Sequence, residues 1–179
     1  HPEKAEGANN IVIVGGGVVG CETAHWLANE YGKNVTVLEM LPHFMMGVCT
    51  ANRGHLLHYL EKSGVRLYNC TKVKALAKDG VYVEQNQSQT VPDPYNTWQP
   101  LLPPNIPNPM EKAIKEEIVE KKIPADLIVL AMGGKADETF FFEAGEEHLA
   151  KEIYNIGDSS RAGRVLEAVR GAYHLAVRI

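Results

Sequence analysis

Between residues 11 and 27 the chain reads IVIVGGGVVGCETAHWL. The four apolar residues Ile11–Val14 are typical of a strand that is buried on both faces, as in parallel sheets. Residues 18–31 predict a helix with a stripe of small residues along one face, and Gly32 stands where helices usually end. NVTVLEM, residues 34–40, predicts a second strand. Together these elements form a βαβ unit, which requires a parallel sheet.

The glycines at this junction have the spacing of a dinucleotide-binding fingerprint, Gly15-x-Gly17-x-x-Gly20. Gly15 would permit a tight turn, Gly17 would let the backbone approach a pyrophosphate, and Gly20 would let the helix lie close to the strand. The first helical amides, at Val18 and Val19, would bind the pyrophosphate at the positive end of the helix dipole. The pattern alone leaves a purely structural turn equally open.

Glu39 favours nucleotide binding because it ends the second strand, 19 residues after Gly20. An acid at about this separation binds the adenosine ribose in such sites, and Met40 stands beside it. The carboxylate would repel the 2′-phosphate of NADP, and no Lys or Arg follows it before Arg53. We therefore expect NAD(H). A non-catalytic module that holds ADP or NAD structurally would use the same residues and remains an alternative.

The composition argues against several other classes of protein. The 179 residues carry a net charge of −4, so neither nucleic acid nor an anionic membrane is an expected partner. No apolar run is long enough for a membrane span, and three widely spaced cysteines favour a reducing, cytoplasmic setting. His55 and His58 fit a solvated pair better than a metal site. No residue pattern indicates a catalytic acid, base or nucleophile.

The middle of the chain predicts a helix followed by a meander. Residues 50–63 fit a helix, and residues 64–76 and 79–85 alternate with period two on either side of an Asp79-Gly80 turn. Residues 111–124 carry charges that suit a helix, but their apolar residues fit neither period well, so we favour a strand that returns to this hairpin.

Residues 86–109 contain seven of the ten prolines and almost no charge. Such a composition cannot form a regular helix or strand, so we expect a long surface loop inserted in the meander. We expect this loop to pack through Tyr95, Trp98 and Leu101–Leu102.

The C-terminal part predicts two further strands and a helix. Residues 125–134 fit a fully buried strand that ends in glycines, and residues 153–160 fit a short strand that ends at Gly157-Asp158. The final segment from residue 164 fits a helix with one apolar face, formed by Val165, Leu166, Val169, Tyr173 and Val177. The whole is expected to be α/β, a Rossmann-type parallel sheet with helices on both faces plus the meander and the proline-rich loop.

Residues 9–40, 125–134 and 154–173 resemble the pyridine-nucleotide domain in the C-terminal half of flavin oxidoreductases of the 2-enoate reductase type. These old-yellow-enzyme-like proteins are related to 2,4-dienoyl-CoA reductase and trimethylamine dehydrogenase. The proline-rich stretch 91–109 is similar to an insertion in clostridial-type enoate reductases. The glycine fingerprint is widespread, whereas its combination with the ending IGD…R…EA…G is fairly specific.

The resemblance implies an electron path from NADH to FAD, then to an iron–sulfur cluster, FMN and finally an activated alkene. FAD, FMN and the cluster would belong to the full-length protein, with its flavin and barrel domains as partners. The resemblance assigns the nucleotide to Gly15, Gly17, Gly20, Glu22 and Glu39, a turn closing over it to Met132-Gly133, and the flavin ribityl chain to Asp158.

The chain opens HPEKAEGANN without an initiator methionine, so we expect an excised domain. It departs from the family in having only one glycine fingerprint and no cluster cysteines. Residues 1–9 are expected to be a tag remnant or linker, residues 10–152 the NAD(H)-binding domain, and residues 153–179 a strand and helix that join the flavin lobe of the parent protein. Without that lobe, Asp158 could serve as a plain helix cap.

Overall fold

The computed structural model describes residues 3–98, 102, 106 and 108–179. These residues form two compact units, of which the first ends at Met132 and the second is Gly133–Ile179. The functional boundary expected at residues 152/153 is a different division and stays a prediction.

Seven strands lie in the described part of the first unit: β1 (Asn10–Val14), β2 (Asn34–Leu38), β3 (Arg66–Tyr68), β4 (Thr71–Ala77), β5 (Gly80–Asn86), β6 (Ile118–Pro124) and β7 (Leu127–Leu130). Four of them form a sheet in the order β3-β2-β1-β7, and every neighbouring pair is parallel. The predicted βαβ unit is therefore confirmed, and β1 lies inside the sheet.

The helices of this unit are α1 (Glu3–Glu6), α2 (Val18–Tyr31) and α3 (Thr50–Lys62). The predicted end of α2 is correct, since Gly32 adopts the left-handed conformation with a φ of 61°. Alternate strand residues pack with α2 and α3 in one core cluster, which includes Ile11, Ile13, Val35, Val37, Leu27, Leu57 and Leu60. Ala5 of α1 and Ala8 lie in the same cluster.

Strands β4, β5 and β6 form an antiparallel meander, as predicted. Its Val81, Val83 and Ile123 pack with Val12 and Leu38 of the parallel sheet in a second core cluster. The α/β class, with a parallel sheet and a meander, is confirmed. One detail is different: in the described chain the meander covers this second face, where helices were expected.

Residues 64–76 do not form one hairpin strand, as the sequence had suggested. Asn69 and Cys70 interrupt it, and Cys70 adopts a left-handed φ of 44°. The chain thereby leaves the parallel sheet after β3 and enters the meander at β4. Period-two alternation continues across the break, so the pattern does not reveal the change of sheet.

The proline-rich stretch lies between β5 and β6, and its described residues form no helix or strand, as expected. Asn86 closes its base by donating to Lys115 O at 2.7 Å and accepting from Glu117 N–H at 3.1 Å. Tyr95 is half-buried as expected, but Trp98 is 58 % exposed and Leu102 is 39 % exposed, so their predicted packing is wrong. Leu101 lies outside the described residues.

Strand β7 is present, but the prediction that it is fully buried is wrong. Its first three residues are half-buried and Leu130 is exposed. It pairs with β1 on one side, and no other strand of the described chain pairs with its outer edge.

The second unit contains α4 (Thr139–Glu146), a 3-10 turn at Gly157–Ser159 and α5 (Val165–Ala176). The strand predicted at residues 153–160 is wrong: in the described chain this segment pairs with no strand, and Gly157–Ser159 form a 3-10 turn. The predicted apolar face of α5 is exposed at each of its five positions. Among the described helices, none combines the length and apolarity needed to cross a membrane.

Candidate functional site

Three strand ends bring the predicted nucleotide residues of the first unit together. The parallel strands β1, β2 and β7 end at the same edge of the sheet, just before Gly15, Glu39 and Ala131. Gly15 N–H donates to Leu38 O at 2.9 Å, and Ala131 N–H donates to Val14 O at 2.8 Å. Ligands of open parallel sheets bind at this carboxyl edge.

Gly15 and Gly20 are required by the close approach of three backbone segments. Gly15 has a φ of 112°, and a Cβ there would collide with the carbonyl group of Ala131. A Cβ at Gly20 would collide with the carbonyl oxygen of Gly15 and lie 3.3 Å from the Cβ of Ala131. These two glycines therefore form the turn and the tight contact between helix and strand.

Gly17 occupies open space, in contrast to its neighbours. A Cβ built at Gly17 meets nothing within 4 Å, and its φ of −71° is accessible to any residue. Gly17 is the N-cap of α2, and no side chain of the described chain caps this helix end. The N–H groups of the first helical turn, including those of Val18 and the exposed Val19, are thus not used by a capping side chain.

Gly16 is the contact point that the fingerprint reading missed. Its N–H donates to Glu39 Oε2 at 2.8 Å, and its carbonyl accepts from Met45 N–H at 2.8 Å. A Cβ at Gly16 would collide with the buried ring of Phe44. The middle glycine of the run 15–17 was the available signal, because a position written as x in the motif would not otherwise need to be glycine.

Glu39 is held in place by two backbone amides. Its Oε2 accepts from Gly16 and its Oε1 accepts from Leu41 N–H, both at 2.8 Å. The side chain is half-buried, and Met40 next to it is 67 % exposed. Each carboxylate oxygen keeps a further lone pair, so the fixed carboxylate can still accept hydrogen bonds from ribose hydroxyls.

A guanidinium and a thiol near this edge are buried. Arg53 is 2 % exposed, and its Nε donates to Phe44 O at 2.9 Å while Nη1 donates to Asn96 O at 3.0 Å. Burial lowers the pKa of its guanidinium. Burial, aided by the charge of Glu39, raises the pKa of the Cys21 thiol to about 12, so this thiol stays protonated at neutral pH.

The remaining predicted site residues are more exposed or belong to the second unit. Glu22 lies on the exposed side of α2, and Met132 is 69 % exposed. In the second unit Gly133 has a φ of 84°. Asp158 accepts from Gly163 N–H at 3.2 Å and does not cap α5; at that N-terminus Glu167 Oε2 accepts from Arg164 N–H at 3.0 Å.

A cavity of about 510 Å³ lies in the second unit near Asp158. Residues of the Gly157 turn and of the start of α5 line it, with Arg161 and Glu167 among them. Within the described residues no three His, Cys, Asp or Glu side chains come together as a metal site would require. His55 instead packs edge-on against the ring of Tyr59.

A family profile described as "Pyridine nucleotide-disulphide oxidoreductase" matches residues 1–153. The chain belongs to the pyridine nucleotide-disulphide oxidoreductase family. This family member is similar to an NADH oxidase of Thermoanaerobacter brockii, with 27 % identity over 94 % of the chain and 21 % of the relative. A cinnamate reductase of Clostridium sporogenes is 22 % identical over 99 % of the chain and 22 % of its own length.

Among solved structures, a 2-naphthoyl-CoA reductase superposes with a TM-score of 0.69 at 24 % identity, over 96 % of this chain and 21 % of the other. The resemblance to the nucleotide domain of enoate-reductase-type oxidoreductases is thereby confirmed. The chain spans about a fifth of the length of the curated relatives it matches.

Proposed function

We propose that this pyridine nucleotide-disulphide oxidoreductase domain binds NADH at the carboxyl edge of the parallel sheet and presents it to a flavin. The observation that carries the proposal is the open backbone at Gly17 beside the uncapped start of α2, with the Glu39 carboxylate fixed next to it. The backbone amides at the start of α2 would bind the pyrophosphate, and Glu39 and Met40 would contact the adenosine ribose. When bound, NADH supplies a hydride, and the chain contributes position and electrostatics.

The buried state of Arg53 supports NADH over NADPH. Its guanidinium donates to the backbone carbonyls of Phe44 and Asn96 and is only 2 % exposed, so it is not available for a 2′-phosphate. Glu39 would face that phosphate with a negative charge. Titration of the chain should therefore give an NADPH dissociation constant at least about tenfold above that for NADH. Equal affinities would contradict this assignment.

The flavin and the substrate belong to the full-length protein in this proposal. Residues 153–179, with Asp158, would join an FAD-binding lobe, and Met132-Gly133 would close over the nucleotide. FMN, an iron–sulfur cluster and an activated alkene would follow in the electron path, and the cinnamate reductase relative supports reduction of a C=C bond. The three cysteines are free, which supports a reducing, cytoplasmic setting.

Reduction of the parent protein's flavin by NADH tests the redox assignment. We expect anaerobic NADH to bleach the flavin absorbance of the full-length protein. Tight binding of ADP or NADH without any flavin reduction would instead favour a structural nucleotide module.

A further inference from the structure

We propose that the proline-rich segment, residues 91–98, positions the nucleotide loop, through Asn69 and Arg53 acting as bridges. The nucleotide loop is defined as residues 39–49, between β2 and α3, and it carries Glu39. The inference rests on the proposed function, because it assigns the proline-rich segment to the adenosine side of the NADH site.

Asn69 is the first bridge. It is 4 % exposed, and its Nδ2 donates to Pro42 O at 2.7 Å and to Pro92 O at 2.9 Å. One carbonyl belongs to the nucleotide loop and the other to the proline-rich segment. Both amide hydrogens are therefore used to join the two segments.

Arg53 is the second bridge, placed on α3. Its guanidinium holds Phe44 O of the nucleotide loop and Asn96 O of the proline-rich segment. A buried guanidinium left without these acceptors would be strongly unfavourable, so the two segments are held together at this point too.

The bridged carbonyls lie next to the residues that contact the glycine turn. Phe44 packs where a Cβ of Gly16 would be, and Met45 donates its N–H to Gly16 O at 2.8 Å. Met45 is buried and has a left-handed φ of 52°, which is unusual for a residue other than glycine or asparagine. The bridges therefore stabilise a loop that contains a strained residue. The position of this loop also places Glu39 against Gly16.

Tyr95 provides a matched control on the same proline-rich segment. Its hydroxyl donates to Val65 O at 2.6 Å and accepts from Leu67 N–H at 3.2 Å, so it anchors the segment near β3 without contacting the nucleotide loop through these bonds. Tyr95→Phe removes an anchor, whereas Asn69→Ala removes a bridge.

The experiment compares NADH and NADPH dissociation constants and amide hydrogen exchange of residues 41–46 in the 179-residue chain. We expect Asn69→Ala to lower the ratio of the NADPH dissociation constant to the NADH dissociation constant at least threefold. The same variant should speed amide hydrogen exchange in residues 41–46. Tyr95→Phe should stay close to wild type in both measurements. A general loss of stability would weaken the binding of NADH and NADPH alike and leave the ratio of their dissociation constants unchanged. If Asn69→Ala does not fold, Arg53→Lys, which keeps the charge but not the planar fork, replaces it.

A change in only one of the two readouts, or in neither, would overturn the positioning role. The proposed function fails separately, if wild-type chain binds no NADH. A wild type that binds NADH with bridge variants indistinguishable from Tyr95→Phe would overturn the bridges alone.

Discussion

The four glycines between residues 15 and 20 meet different physical requirements. Gly15, Gly16 and Gly20 are needed because another group occupies the place of a Cβ, whereas Gly17 faces open space. Single substitutions at Gly15, Gly16 or Gly20 should therefore lower stability, whereas a substitution at Gly17 should affect ligand binding.

Gly17→Ala tests the open position. We expect its free energy of unfolding to stay within about 0.5 kcal/mol of wild type, because the added methyl group meets nothing in the protein. NADH affinity should fall at least about tenfold, since the methyl group would keep a pyrophosphate from approaching the backbone. Denaturant unfolding and calorimetric titration measure the two quantities. An unchanged affinity for NADH would show that the pyrophosphate does not bind at Gly17.

Gly20→Ala is the contrasting substitution on the same turn. Its methyl group would collide with Gly15 O, so we expect a loss of about 2 kcal/mol or more in unfolding free energy. Denaturant unfolding monitored by circular dichroism measures this loss. A variant as stable as wild type would mean that α2 can move away from β1 without cost.

The spacing of Gly15, Gly17, Gly20 and Glu39 could be recognised from the sequence because a local motif and one strand end place all four. The contacts of Gly16 with Phe44 and Met45 could not. They join residues of two different loops, and no periodic pattern encodes which side chain of a loop turns inward.

At the scale of single elements, Asp126 fixes the start of β1 beside the start of β7. Its Oδ2 accepts from Asn10 N–H at 2.8 Å and from Asn9 N–H at 3.0 Å. These hydrogen bonds, chiefly that of Asn10, hold the pKa of Asp126 below its usual value. The charged carboxylate therefore stabilises the folded state above the unfolded-state pKa, and this stabilisation is lost as the pH falls through the lower folded-state pKa.

Asp126→Asn tests this linkage. At pH 7 we expect the wild type to be more stable than the variant, and the difference should shrink as the pH is lowered below about 4, where the wild-type carboxyl becomes protonated. Urea unfolding at a series of pH values gives the comparison. A difference that is the same at pH 7 and at about pH 3 would show that the carboxylate charge has no part in it.

Elements with strong local patterns were predictable, and those that depend on a partner were not. Helix α2 and strand β1 follow directly from periodicity and the glycine stop. Residues 153–160 have a strand-like composition, yet they pair with no strand in the described chain. The break at Asn69 and Cys70 was missed for a related reason, since pairing with two different sheets leaves no mark on alternation.

At the scale of the whole molecule, α5 exposes the apolar side chains that helical spacing predicted for a buried face. Val165 is 80 % exposed and Val169 is 59 % exposed. We expect these residues to pack against the flavin lobe that we propose for the full-length protein.

Val169→Ser tests whether the apolar face of α5 is exposed in the 179-residue chain and covered in the full-length protein. In the 179-residue chain we expect a change of less than about 0.5 kcal/mol in unfolding free energy, because the side chain is already in solvent. In the full-length protein the same change should lower the FAD content after purification, measured by absorbance. His174→Ser, an exposed position outside the apolar stripe, is the control. Full FAD occupancy in both variants would contradict the packing of α5 on a flavin lobe.

The glycine turn is completed by a residue from the far end of the first unit. Ala131 closes on Gly15 and Gly20 but follows the whole meander and the proline-rich segment along the chain. During synthesis the βαβ unit leaves the ribosome before β7 does, and contacts between distant residues form late. A nascent chain that stops short of Ala131 thus carries the glycine motif without its finished cradle, and any affinity for a nucleotide arises in one late step, when β7 joins the sheet.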